Sequence, residues 1–413
     1  MNQVPPIVKT GKAKATPLKV WDSRKMQVTS NSPFHRMLSV LRTLRSSHLG
    51  LDELDKKDTT ILKALAILAI VFHNFFHIAV GVRENEFDFN PARFGVFLQA
   101  VVHPSLAIQA LFAFYGHFGV QIFIFLSAYG LAKTHWHDTS SWHSFMWSRV
   151  KKLYPMFALA VLFWAVLTSM HVGALWVIRD AGPEILLMLA GISTLVPGLG
   201  LPPVGPWWFI PFIMQAYALF PFLRSLTRRF GWPALVLLSL ACYFLTYAAN
   251  PILAHWDVTL AMTPIARMRV LCLGIIAARY PLRIRSYMAL PAFAIVILGS
   301  QYAGLSHLVS ISAVFAILWL YSKLRPVLRK SAALEKIGNY SLAIFLVNGI
   351  VRVPFIYLAH SPAMQLALGV VSAGVTIAIS SFFHFLLSPA PQRPRAVVAP
   401  PLWSGERATA ASD

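Results

Sequence analysis

Three polar side chains interrupt an apolar helix near the start of the chain's hydrophobic part. Residues 61–72 carry one charge, at Lys63, and are followed by His73, Asn74 and His77. At a rise of about 1.5 Å per residue, His73 lies on the order of 20 Å from a helix start near Thr59, past the middle of a hydrocarbon core about 30 Å thick. Polar groups at that depth are costly and line a protein interior or a wet cavity. His73 and His77 stand four apart, on one helix face. An imidazole titrates near neutrality in water, so His73 can serve as general base toward a hydroxyl or thiol. Asn74 or His77 can orient its ring or donate to a developing oxyanion. A metal would need further ligands, for which His103 and His117 are the candidates, and no carboxylate in a span supports one, so no metal is expected. The plainer alternative makes His73 a hydrogen-bonded residue of a helix interface.

A second group is basic. Arg149 and Lys152 lie one turn apart at the start of an apolar run, with Lys151 and Lys133 nearby. Guanidinium and ammonium groups converging there suit the phosphates of a polyphosphate donor. Membrane anchoring by positive charge is the competing account, above all for Lys151 and Lys133. Ser127 sits among small residues that allow close helix packing.

The elements that must hold these groups are membrane helices. Of 413 residues, 57% are hydrophobic and 12% charged, against about 25% charged in a typical soluble domain. The apolar runs are too continuous for barrel strands, so the expected fold is all-α and polytopic. Candidate spans are 59–80, 117–134, 154–173, 207–224, 232–249, 264–281, 287–304, 306–324, 340–359 and 363–387. Basic residues cluster before Lys63 and in alternate loops, at Lys133 to Lys152, Arg224 to Arg229, Arg279 to Arg285 and Lys323 to Lys336. If each such loop is cytoplasmic, about ten transmembrane helices satisfy the parity and both termini are cytoplasmic. The stretches 94–115 and 184–198 are then re-entrant or interfacial, as His103-Pro104, Gln109 and the Pro/Gly-rich run 197–203 suggest. Residues 1–57 form a basic cytoplasmic arm, partly disordered, in which 33–51 have the spacing of a surface helix. Residues 388–413 form a Pro-rich cytoplasmic tail.

The formal net charge of +21 points to membrane topology and lipid headgroups rather than nucleic acid, because the charges fall where topology requires them. Cys242 and Cys272 lie inside spans without metal or redox spacing and are expected to pack. No internal repeat of the transporter kind is visible.

The order Lys63…His73, then Gly119-Val…Phe-Leu-Ser127-Ala-Tyr129, then Arg149-x-x-Lys152-Leu-Tyr154-Pro155 resembles the acyltransferase family 3 membrane proteins. Trp207-Trp208-Phe209-Ile210…Tyr217…Pro221 resembles that family's tryptophan-led helix, and 337–346 its late Gly-x-x-Ser helix. The resemblance runs over 58–387. It implies ten helices and transfer of an acyl group, most often acetyl, from cytoplasmic acyl-coenzyme A to a hydroxyl of a cell-envelope or exported glycan or glycolipid, in the inner membrane of a bacterium. By position, His73 matches the family's catalytic histidine, Lys63 stands at a usual arginine, Arg149 and Lys152 match its Arg-x-x-Arg pair, and Ser127 matches the serine of its Ser-Gly-Phe-type motif. The implied donor-binding set is Lys63, Ser127, Arg149, Lys152 and Tyr154. The chain departs from the pattern at Ala128-Tyr129 in place of Gly-Phe, at Gln215 near a frequent glutamate, and at Asn348 in place of a late histidine. The pantetheine arm, on the order of 15–20 Å, matches the depth that the helix rise gives His73.

Two other classes stay open. The polar residues His73, Asn74, His77, Gln121, Arg267, Arg269 and Arg352 could line a transporter or flippase path for a glycan or lipid-linked substrate, although no paired intramembrane carboxylates accompany them. A scaffold without chemistry is the third.

Overall fold

A computed structural model describes residues 49–388, except 86, 200 and 201. The basic arm, most of the surface-helix stretch 33–51 and the Pro-rich tail lie outside the described residues.

The described chain is helical, with one two-residue strand pair. Strand β1 (Leu49–Gly50) pairs antiparallel with β2 (Arg283–Ile284), Leu49 opposite Ile284. Helix α1 (Lys56–Ala79) begins at a reciprocal cap: the Asp55 carboxylate accepts from the Asp58 amide and the Asp58 carboxylate from the Asp55 amide. Two short helices follow, α2 (Ala92–Val101) and α3 (Ala107–Tyr115). Then come α4 (Phe118–Thr134), α5 (Trp142–Val172), α6 (Gly182–Leu189), α7 (Phe209–Phe230), α8 (Trp232–Leu253) and α9 (Pro264–Arg279). The chain closes with α10 (Ala289–Leu298), α11 (Ala303–Leu328), α12 (Ala332–Asn339), α13 (Ser341–Tyr357) and α14 (Pro362–Leu387).

Among the described residues seven helical segments are long and apolar enough to cross a membrane, and up to nine if each of two bent pairs counts as one span. The first pair is α3 with α4, bent by 43°; the second is α12 with α13, bent by 75°. The expected stretch 94–115 is therefore divided. Its first part is the separate helix α2, and its second part leads into α4 through Gly116 and His117. The expected stretch 184–198 is the eight-residue α6 and a single 3-10 turn, too short to span. The expected span 287–304 is also short: α10 has ten residues and ends at Gly299, about 15 Å of helix against a core of about 30 Å.

α1 is the central element. It packs against α3, α4, α12, α13 and α14, and its face carrying Ile61, Leu62, Ile67, Ile70 and Val71 is buried. Its N-terminus is held by a buried carboxylate. Asp58 accepts from the Tyr321 hydroxyl at 2.6 Å, from Arg325 at 2.9 and 2.6 Å, and from Arg329 at 2.8 Å. Those partners lie at the C-terminal part of α11 and beyond it, so the basic loop after α11 and the start of α1 share one end of the bundle. Lys133 donates to the Asp52 carbonyl at 2.7 Å and Arg224 to the His135 carbonyl at 2.8 Å. The C-terminal ends of α4 and α7 thus reach the same end.

Candidate active site

His73 is buried, 6% exposed. Its Nδ1 lies 3.0 Å from the main-chain oxygen of Ala113 on α3. A carbonyl oxygen can only accept, so Nδ1 carries the proton and donates it. In the neutral ring Nε2 then keeps its lone pair. The backbone approaches this closely because of Gly116. A Cβ there would meet the Ala69 and Phe112 carbonyl oxygens at 2.6 Å and the His73 Cβ at 2.8 Å.

The helix junction adds a third imidazole. The His73 ring lies 5.1 Å from His77 and 5.4 Å from His117, centroid to centroid. Arg352 on α13 donates to the main-chain oxygen of Asn74. Around this layer several buried polar atoms lack a partner in the protein: Asn74 Nδ2, His77 Nδ1, His117 Nδ1, Gln121 Oε1, Asn348 Nδ2 and Arg352 Nε. Buried polar groups are almost always bonded. A set of orphans around one histidine therefore marks a place where water or substrate completes the bonding. Among the described residues no three His, Cys, Asp or Glu side chains are placed to hold a metal ion, and His103 is exposed in the turn between α2 and α3.

Toward the basic end lies a cavity of about 190 Å³. Lys63, Ser127, Arg149 and Lys152 all line it, brought together from α1, α4 and α5. Phe209, Ile213 and Tyr217 of α7 and Ser341 and Phe345 of α13 complete an apolar wall with a few hydroxyls. The cavity reaches Ile70, one turn below His73, and the His73 ring is not part of its wall. Tyr154 is not part of the wall either. Its hydroxyl donates to the Leu189 carbonyl at the end of α6, which ties α5 to α6. Of the other cations, Lys133 is bonded to Asp52 and lies 5.6 Å from the Tyr129 ring centroid, and Lys151 sits 5.4 Å from that of Trp147.

Arg149 is held on its far side. Its Nη2 lies 3.1 Å from His135 Nε2, and His135 Nδ1 lies 3.0 Å from the Asp138 carboxylate. Arg149 donates, His135 accepts at Nε2, and the proton on Nδ1 goes to Asp138. The Ser140 amide, the His135 ring and the Ser140 side chain hold the Asp138 carboxyl down, at about 2. His135 and Asp138 carried no signal as donor-site residues in the sequence.

A second cavity, of about 570 Å³, opens at the other end of the bundle and is lined in part by His117, Gln121 and Arg267. The two cavities meet along α4, where Val120 and Phe123 line the smaller and His117, Phe118 and Gln121 the larger. His117 was legible only as a conceivable metal ligand, because its place at a bend between two apolar helices is a property of the fold.

The family model described as an acyltransferase domain, Acyl_transf_3, matches residues 56–385. The chain belongs to acyltransferase family 3. It is a multi-pass membrane acyltransferase of that family, and the match covers all fourteen helices except the last two residues of α14. Comparison with curated proteins and with solved structures gives no match. Lys63, Ser127, Arg149 and Lys152, four of the residues expected to bind the donor, converge on one cavity that reaches Ile70, one turn below His73. Two departures from the family pattern have a visible setting. Gln215 donates to the Gly191 carbonyl at 2.8 Å and the Thr194 hydroxyl at 2.9 Å. Asn348 is buried on the α13 face that also carries Arg352, one turn later.

Proposed function

We propose that this protein transfers an acyl group, most simply acetyl, from cytoplasmic acyl-coenzyme A to a hydroxyl of a cell-envelope or exported glycan, in the inner membrane of a bacterium. The observation that carries the reading is the meeting of three cations and Ser127 in one cavity directly below a buried histidine whose Nε2 is free to accept a proton.

Arg149 and Lys152, at the basic end, bind the coenzyme phosphates. His135 and Asp138 hold the Arg149 fork in place, which lowers the cost of ordering it. The pantetheine arm follows the apolar wall past Lys63. Lys63 and His73 are ten residues apart on α1, about 15 Å, so the thioester reaches the layer of His73 once the side chains around Ile70 yield.

The chemistry there needs one base. The acceptor hydroxyl attacks the thioester carbonyl as its proton passes to His73 Nε2. The tetrahedral oxyanion accepts from donors now unpaired, of which Asn74 Nδ2 is the nearest in sequence. Collapse breaks the carbon–sulfur bond, and the coenzyme thiolate takes the proton back from His73. The products are an ester and free coenzyme A thiol. The Nδ1 bond to Ala113 keeps the ring in the tautomer that this step requires.

The test is turnover of radiolabelled acetyl-coenzyme A by the purified protein, with mass spectrometry of surface glycans from a deletion strain. Label arriving on a glycan hydroxyl supports the reading. Movement of a glycan or lipid across vesicles without coenzyme turnover would favour a transporter.

A further inference from the structure

The cavity of about 570 Å³ at the end away from the basic mouth is of the size that binds small ligands. We propose that it receives the acceptor, and that the acceptor is a polyhydroxylated molecule carrying a carboxylate or a phosphate. The inference rests on the acyl-transfer reading above and adds the chemical class of the second substrate.

Position comes first. His117 and Gln121 line this cavity, and the His117 ring lies 5.4 Å from His73. The cavity thus borders the layer of the proposed base from the side opposite the donor. His117 Nδ1 and Gln121 Oε1 are buried without partners in the protein, and Gln121 Oε1 is an acceptor for hydroxyl groups.

The wall suits a sugar. Tyr243 and Tyr247 supply flat aromatic faces with polar tips, and Asn250, Thr246 and Ser306 supply amide and hydroxyl groups.

The charge is the discriminating feature. Arg269 belongs to this wall and sits 5.5 Å from the Tyr243 ring centroid. Among the described residues no carboxylate pairs with it and no hydrogen bond is made by it, although it carries five N–H donors. Among the described residues the acidic groups of the wall, Glu84 and Asp88, have partners of their own. Arg93 grips Asp88 with two bonds of 3.0 and 2.8 Å and lies 3.8 Å from Glu84. Burial alone would raise the Asp88 carboxyl, and the Arg93 bonds more than offset this, so it stays below the usual carboxylate range. Arg267, also of this wall, is already engaged and donates through Nε to the Ala261 carbonyl at 3.1 Å. A guanidinium fork matches carboxylate and phosphate oxygens two at a time. Arg269 is therefore a cation in the wall for which the described residues supply no anion.

The experiment uses the full chain in nanodiscs of neutral lipid. The probes are trigalacturonic acid, its carboxyl-reduced neutral counterpart, and a glycerophosphate-substituted glucose oligomer, with affinity measured at low and high salt. The acidic probes should bind at least about tenfold more tightly than the neutral one, and the stronger of the two names the group. Arg269→Gln should abolish that preference and Arg269→Lys should keep most of it. Equal binding of the neutral counterpart, absence of binding by all three probes, or a preference that survives Arg269→Gln would overturn the proposal. If Arg269→Gln does not fold, the native protein decides: a preference that collapses at high salt supports the site and a salt-independent one overturns it. Acyl-coenzyme A turnover is read separately. A charge preference in binding with no turnover on any acceptor leaves the anion site standing and defeats the acyl-transfer reading.

Discussion

His73 donates through Nδ1 to the main-chain oxygen of Ala113, 3.0 Å away on a neighbouring helix. The bond selects the tautomer, and it exists because the bend between α3 and α4 presses a backbone against α1. Gly116 makes that approach possible. Gly116→Ala would put a methyl 2.8 Å from the His73 Cβ and 2.6 Å from two carbonyl oxygens. We expect a loss of about 1–3 kcal/mol, as for overpacked cores, seen as a lower unfolding midpoint and a larger fall in acyl turnover. Gly130→Ala is the control. Nothing stands within 4 Å of its new methyl, and alanine in a helix interior should gain about 0.5–1 kcal/mol.

Arg149→Gln should raise the KM for acyl-coenzyme A by about ten- to a hundredfold, the range of one lost charge-assisted bond at about 1.5–3 kcal/mol. Acceptor KM should hold. Because the phosphates are met at an open mouth, the donor KM of the native protein should also rise with salt. A titration of donor at saturating acceptor reads both.

Asp138 and His135 act through Arg149. Asp138→Ala should raise donor KM less than Arg149→Gln does, with kcat retained. The pH sign follows from the depressed carboxyl. The charge of Asp138 supports the site fully above its ordinary 3.8 and is lost only as pH falls through about 2. Donor KM should therefore show no step from this group between roughly pH 5 and 9, which a KM profile over that range checks.

Asp58→Asn removes a buried carboxylate shared by Tyr321, Arg325 and Arg329. Breaking such a network leaves cations without their counter-ion, at a cost on the order of 3 kcal/mol. The partly exposed arginines recover some of it from water. Tyr321→Phe loses one hydrogen bond, about 1 kcal/mol. Unfolding midpoints of the two variants in one detergent should rank in that order.

Much of this was legible because depth and charge are written in the sequence. A histidine ten residues past a lysine in an apolar run, and an Arg-x-x-Lys at the start of another, need no coordinates to stand out. The helix junction was not legible. Pro104 and Gln109 make 94–115 read as one awkward piece, yet Gln109 is satisfied by the Ser105 and Pro362 carbonyls at 2.9 and 3.0 Å. That lets α3 sit buried and lead into α4. Tyr154 belongs to the family's basic motif, but its hydroxyl is taken by Leu189, a partner 35 residues away that no local pattern reveals. Arg352 reads only as one of several intramembrane polar residues that could line a path. Its bond to the Asn74 carbonyl depends on α13 packing along α1.

Acyl transfer by His73→Ala in lipid nanodiscs decides whether His73 carries the chemistry. Turnover of radiolabelled acetyl-coenzyme A should fall by about 10²–10⁴-fold, the range for loss of a general base, while donor affinity stays within about threefold of native. A variant that keeps turnover within about tenfold of native while folded and membrane-embedded would contradict the account.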